Sequence, residues 1–109
     1  MHQISGWIYL LASEQYGTLY CGVTTDLIRR VRMHKAGVAS HFTRKHAVTD
    51  LVWYEHHANV LGASHHVDMI RHRSRQWKLN LIDQANPEWI DLFNVLAALP
   101  ELPRFSVKP

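Results

Sequence analysis

At 109 residues, 47% of them hydrophobic, the chain fits one domain with a modest core and is too apolar for a disordered tail. Its formal charge of +3, with nine histidines neutral, is weak evidence by itself for a nucleic-acid partner. No run approaches the ~18–20 apolar residues of a membrane span, Met1-His2-Gln3-Ile4-Ser5-Gly6 lacks the features of a signal peptide, and the lone Cys21 excludes an internal disulfide and a thiolate-rich zinc site. A cytoplasmic location is expected.

Residues 7–12 and 18–23 read as two short strands joined by Ser13-Glu14-Gln15-Tyr16-Gly17, a hairpin-length connection. A helix follows. Thr24 or Thr25 can cap it, Asp26 suits its positive N-terminal end, and Gly37 stops it. Leu27, Val31 and His34 share one face, Arg30 lies beside that face, and Arg29 and Arg32 point toward solvent. Gly37 to His46 reads as a loop, and Val48–Glu55, rich in β-branched and aromatic residues, as a third strand.

Asn59 can cap a helix over about Val60 to His72, a second helix covers Gln76 to Asp83, and Asn86-Pro87-Glu88-Trp89 opens a last helical turn or two through Ala98. The order ββαβαα is an α+β layout: a small three-stranded antiparallel sheet flanked by helices, with one domain over 1–98 and an irregular Pro-containing tail over 99–109. Such a sheet needs helices to bury a face, and Trp53, Tyr54, Trp77, Trp89 and Phe93 are the natural material for that interface.

Charge distribution says more than net charge. Arg29, Arg30, Arg32, Lys35, Arg44 and Lys45 fall within seventeen residues, and Arg71, Arg73, Arg75 and Lys78 within eight. Clusters of this kind suit a phosphate backbone, although solvated helix faces produce them too. The histidine pairs His56-His57 and His65-His66 could bind a soft metal, but neighbours on one element point apart and do not readily share one ion.

Tyr9, in Trp7-Ile8-Tyr9-Leu10-Leu11, and Tyr20, in Leu19-Tyr20-Cys21-Gly22-Val23, stand eleven residues apart, each in a strand pattern and followed by a basic helix. With Gly22-Val23-Thr24, Asp26-Leu27, Arg30, His34, Gly37, Phe42-Thr43-Arg44-Lys45, Leu51-Val52-Trp53-Tyr54-Glu55, Trp77-Lys78 and Asn86-Pro87-Glu88-Trp89-Ile90-Asp91-Leu92, this passage resembles the GIY-YIG nuclease family. It looks closest to the small stand-alone bacterial members, related to the nuclease domain of the UvrC repair subunit. The resemblance implies metal-dependent hydrolysis of phosphodiester bonds in single-stranded or branched DNA. It makes Tyr20 the general base or water-orienting group, Tyr9 a hydrogen-bonding and phosphate-contacting partner, Arg30 the phosphate grip, and His34 an aid to proton transfer or to orienting Tyr20. Arg29, Lys35, Arg44 and Lys45 are candidates for contact with the DNA backbone.

Each residue also has a plainer reading. Tyr9 and Tyr20 could be cross-strand packing partners, Arg30 a surface cation, and His34 a helix C-terminal residue facing the dipole.

One part is missing. Family members hold one divalent ion, typically Mg²⁺, through a glutamate on the helix after the third strand. That position here is Val67, in the frame of Ala63 and Ile70, and His66 replaces the arginine before it. Valine offers a hard cation no oxygen. Asp68 lies ~100° further round the helix and points away from that frame, Glu55 ends the third strand, and His65 or His66 could serve a softer ion such as Mn²⁺ or Zn²⁺. The first expectation is therefore an endonuclease using Mg²⁺ or Mn²⁺. The alternative is a disarmed domain of the same scaffold that binds nucleic acid or a partner.

Overall fold

The computed structural model describes residues 3–99. The tail expected from residue 99 onward lies, beyond Leu99, outside the described residues. β1 (Gly6–Ala12) is the middle strand of a three-stranded sheet of order β2-β1-β3, antiparallel to both β2 (Leu19–Thr24) and β3 (Asp50–His57). The α+β architecture expected from the sequence is the one found.

All seven residues of β1 are buried, because helices cover both faces of the sheet. On one face Ile8, Leu10 and Ala12 pack with Val52 and Trp53, with Ala63, Val67 and Ile70 of α3 (Val60–His72), with Ile82 of α4 (Arg75–Ala85) and with Trp89. On the other, Trp7, Tyr9 and Leu11 pack with Leu27, Ile28 and Val31 of α1 (Leu27–Lys35) and with Leu96 of α5 (Phe93–Ala97). The strand alternation thus sends Tyr9 to the α1 side and Val67's neighbours to the α3 side. Of the aromatics expected between sheet and helices, Trp53 and Trp89 are buried, and Trp77, Tyr54 and Phe93 pack at the margins of the two clusters.

β3 carries a bulge: Leu10 pairs with Trp53 but Leu11 with Leu51, leaving Val52 as the extra residue. Its carbonyl accepts from Nδ2 of the buried Asn86 at 3.1 Å, and Asn86 also bonds both the N–H and the carbonyl of Ile90. This closes a loop where the sequence suggested a helix opening at Asn86. Trp89 has φ +54, which an α-helix cannot contain, so the last helix begins only at Phe93.

The segment Gly37–His46, expected as a loop, contains the short helix α2 (His41–Lys45). Ser40 caps it, with Oγ accepting from the Thr43 N–H at 3.3 Å, and Thr43 is fully buried beneath. Before it, α1 ends as Gly37 turns to φ +78 and the Val38 N–H reaches back to the Met33 carbonyl. Among the described residues no helix is long and apolar enough to cross a membrane.

Candidate active site

The pairing of β1 with β2 places Tyr9 opposite Gly22. The Tyr9 phenol lies across that glycine: a Cβ there would stand 2.5 Å from the phenol oxygen. Gly22 thus lets the phenol reach α1, where the Tyr9 hydroxyl meets Nε2 of His34 at 2.9 Å. His34 is only 1% exposed, held by the Leu27, Val31 and His34 face of α1.

Behind it, Nδ1 of His34 is 2.9 Å from the hydroxyl oxygen of Thr43, and that hydroxyl lies 3.2 Å from the Ser40 carbonyl. A hydroxyl has one proton to give, and a carbonyl can only accept. Thr43 therefore donates to Ser40 and accepts from Nδ1–H, which leaves Nε2 bare to accept from Tyr9. The network fixes the tautomer of His34 and the direction of a relay running from Tyr9 through His34 to Thr43.

Among the described residues no carboxylate bonds this imidazole. Burial, and then the positive charge of Arg30, push His34 down to about 4. It is neutral at physiological pH and so holds the Tyr9 phenol as an acceptor. Burial first, and the neighbouring Tyr20 next, push Tyr9 well above its ordinary value, against the pull of Arg30 and Arg71.

Tyr20 is half-buried. Its ring lies 5.2 Å from that of His34, 6.3 Å from that of Tyr9 and 6.2 Å from that of Phe42. Its hydroxyl has no hydrogen-bond partner among the described residues, and neither does the guanidinium of the half-buried Arg30. The structure therefore brings Tyr9, Tyr20, Arg30 and His34 together on the α1 side of the sheet. The relay residue Thr43 and the spacing residue Gly22 complete the arrangement. A signal for Thr43 was present in Ser40-His41-Phe42-Thr43, where a cap precedes a polar residue by three positions.

Among the described residues none of the four basic candidates hydrogen-bonds the side chain of Tyr9, Tyr20, Arg30 or His34. Lys35 pairs with Asp91 at 2.5 Å and donates to the Thr49 carbonyl at 3.0 Å, fastening α1 to the segment before α5. Arg29 lines an open groove on the outer side of α1 with Ile28, Arg32 and Met33. Arg44 lies near His41 Nδ1 at 3.3 Å, and Lys45 is exposed.

The residues present do not fit the divalent ion that the resemblance implies. Val67 is 1% exposed, inside the apolar cluster with Ile8, Ala63 and Ile70. Asp68 points into solvent, 3.6 Å from Arg71. Glu55 bonds His57 at 2.7 Å, with His66 at 3.8 Å, and His65 is exposed. Among the described residues no three His, Cys, Asp or Glu side chains converge to hold a metal ion.

Residues 5–81 match the model of the GIY-YIG catalytic domain. The chain is 31% identical to a UPF0213 protein of Streptococcus agalactiae serotype V over 88 residues, which is 81% of this chain and 99% of that protein. It is also 31% identical to a UPF0213 protein of Aeromonas salmonicida over 78% of this chain and 62% of that one, and 32% identical to one of Streptococcus sanguinis over 62% and 78%. These names carry no activity. No solved structure matches. GIY-YIG nucleases generally use a divalent metal ion. With more than half its length matched, and the tyrosines, arginine and histidine gathered at one site, this chain belongs to the GIY-YIG nuclease family.

Proposed function

We propose that the domain is an endonuclease hydrolysing phosphodiester bonds in single-stranded or branched DNA. The observation that carries this reading is a pair of polar groups on the α1 side without a protein hydrogen-bond partner among the described residues: the Tyr20 hydroxyl and the Arg30 guanidinium, beside a relay whose every proton has a place. Neither group is tied up by the described residues, so both are available to a substrate.

In this reading Arg30 grips a non-bridging pair of phosphate oxygens through its fork and neutralises charge as the phosphorus becomes five-coordinate. Tyr20 orients the attacking water. Tyr9 and His34 act as positioning residues: they keep the face against Tyr20 rigid and uncharged beside the positive charge of Arg30. Phe42, 41% exposed and near Tyr20, offers a ring on which an unpaired base can stack, which favours single-stranded over paired DNA. No step is assigned to a metal ion.

A second reading rests on Val67. A position filled by apolar packing favours a disarmed domain that binds nucleic acid without cutting it. A gel assay on labelled single-stranded and duplex DNA separates the two, run with the parent and Arg30→Ala in Mg²⁺, Mn²⁺ or EDTA. Cleavage by the parent that Arg30→Ala loses supports the endonuclease. Binding without cleavage under every condition overturns it in favour of the second reading.

A further inference from the structure

α3 delivers a second arginine to the same strand from the opposite side. Nε and Nη2 of Arg71 both donate to the Cys21 carbonyl, at 3.1 and 3.0 Å. Among the described residues β2 pairs only with β1, which leaves its other edge open to side chains such as that of Arg71. Cys21 sits between Tyr20 and Gly22, the residue the Tyr9 phenol crosses. The guanidinium is therefore pinned to the residue between Tyr20 and the glycine that the Tyr9 phenol crosses.

Arginine has five N–H bonds, and the carbonyl takes two of them. Asp68 forms an exposed ion pair with Nη1 at 3.6 Å, too long for a hydrogen bond, and a solvated pair of this kind is weak. Three N–H bonds thus remain for a ligand at the strand edge. Neighbouring cations are fixed on the same side: Lys78 donates to the Arg71 carbonyl, and Arg75 donates to the carbonyls of Tyr16 and Gly17. The Tyr9 hydroxyl feels both Arg30 and Arg71, as expected if the two guanidiniums flank one spot.

The plainer role for Arg71 is to satisfy one carbonyl of an exposed edge strand. A single N–H would do that. Anchoring two on one oxygen instead sets the plane of the fork and aims its remaining bonds outward.

We propose that Arg71 is a second phosphate-binding residue, so that a DNA strand crosses the open edge of β2 held between Arg30 of α1 and Arg71 of α3. The inference rests on the nucleic-acid reading above and adds the path of the substrate. It also names the source of positive charge on the side of the sheet where Val67 supplies no metal ligand.

The test is the affinity of fluorescein-labelled single-stranded oligonucleotide in EDTA, measured by anisotropy over a range of salt. Parent, Arg71→Gln, Arg71→Lys and Arg30→Gln are compared, with thermal unfolding of each as a check on the fold. Arg71→Gln is expected to weaken binding roughly tenfold, the size of one charge-assisted hydrogen bond. It should also lower the slope of log K against log salt by about 0.7, the value for one phosphate contact on a single strand. Arg71→Lys keeps the charge, so it should keep the slope while losing part of the affinity. An Arg71→Gln protein that binds with the parent's affinity and slope, while Arg30→Gln binds less well, overturns the role of Arg71 and leaves the proposed function standing. A parent that binds no single-stranded DNA at low salt overturns both.

Discussion

The Tyr9 hydroxyl donates to Nε2 of His34 at 2.9 Å, joining the first tyrosine motif to the helix histidine. The second motif tyrosine, Tyr20, touches that histidine only through its ring. The division matters chemically. One phenol is locked into a buried relay, and the other keeps its hydroxyl for something from outside.

The relay has a pH signature. His34 is held near 4 in the fold, below the ordinary 6.5 of an unfolded chain. Its contribution to stability is therefore fully present above about 6.5 and is lost as pH falls toward 4, because the unfolded state takes up the proton first. Full loss amounts to about 3 kcal/mol. Tyr9 acts in the opposite sense: its raised value costs stability as pH climbs past 10.0. Thermal unfolding between pH 4 and 8 should show the acid loss in the parent and a flatter profile in His34→Gln. Parallel profiles would mean the buried neutral imidazole is not there.

Gly22→Ala tests the close approach of the two strands. The added methyl would stand 2.5 Å from both Cζ and the oxygen of Tyr9, and neither is the loose end of a flexible chain. Overpacking of this kind costs about 1–3 kcal/mol. Chemical denaturation should register that loss, together with a changed environment of His34 in its imidazole NMR signals. A variant as stable as the parent would show that the phenol does not cross the glycine.

Lys35 and Asp91 form a brace. Asp91 accepts from the N–H groups of Leu51 and Phe93 through Oδ1 while Oδ2 faces Lys35. Asp91→Ala leaves two backbone donors unpaired, so a loss of about 1–3 kcal/mol is expected. Lys35→Met removes a partly exposed ion pair and an exposed hydrogen bond to the Thr49 carbonyl, and should cost about 1 kcal/mol. Its affinity for single-stranded DNA should stay within about twofold of the parent's, since its ammonium is already engaged. A drop as large as that of Arg30→Gln would return Lys35 to the DNA-contacting set.

Val67→Glu probes the metal position. A carboxylate among Ile8, Ala63 and Ile70 must lose water without gaining a partner, so the variant should unfold several degrees below the parent in EDTA. Val67→Ile should stay close to the parent. If Val67→Glu in EDTA matches the parent, the side chain can reach solvent from this helix and the fit of a divalent ion must be reconsidered.

Much of this was legible in the chain because strong local signals agreed with the fold. The run Trp7–Ala12 reads as a strand, and its burial on both faces follows from its central place. The face shared by Leu27, Val31 and His34 is the face α1 buries. What escaped the sequence depends on tertiary partners. α2 is five residues long, too short to show a period, and its Thr43 gains meaning only from His34. Asn86 reads as a helix start until the Val52 carbonyl, freed by the bulge, claims its side chain. Arg71 reads as one more surface cation, since nothing local reveals that Cys21 lies within its reach.

The most direct test of the central claim is single-turnover cleavage of a labelled single-stranded oligonucleotide, with protein in excess, comparing the parent with Tyr20→Phe. The variant loses one oxygen and keeps the ring that packs against His34 and Phe42, so its unfolding curve should match the parent's. The account expects the parent to cleave and Tyr20→Phe to be slower by at least about a hundredfold, the usual contribution of a group that handles the proton of the attacking water. Equal rates in the two proteins would contradict it.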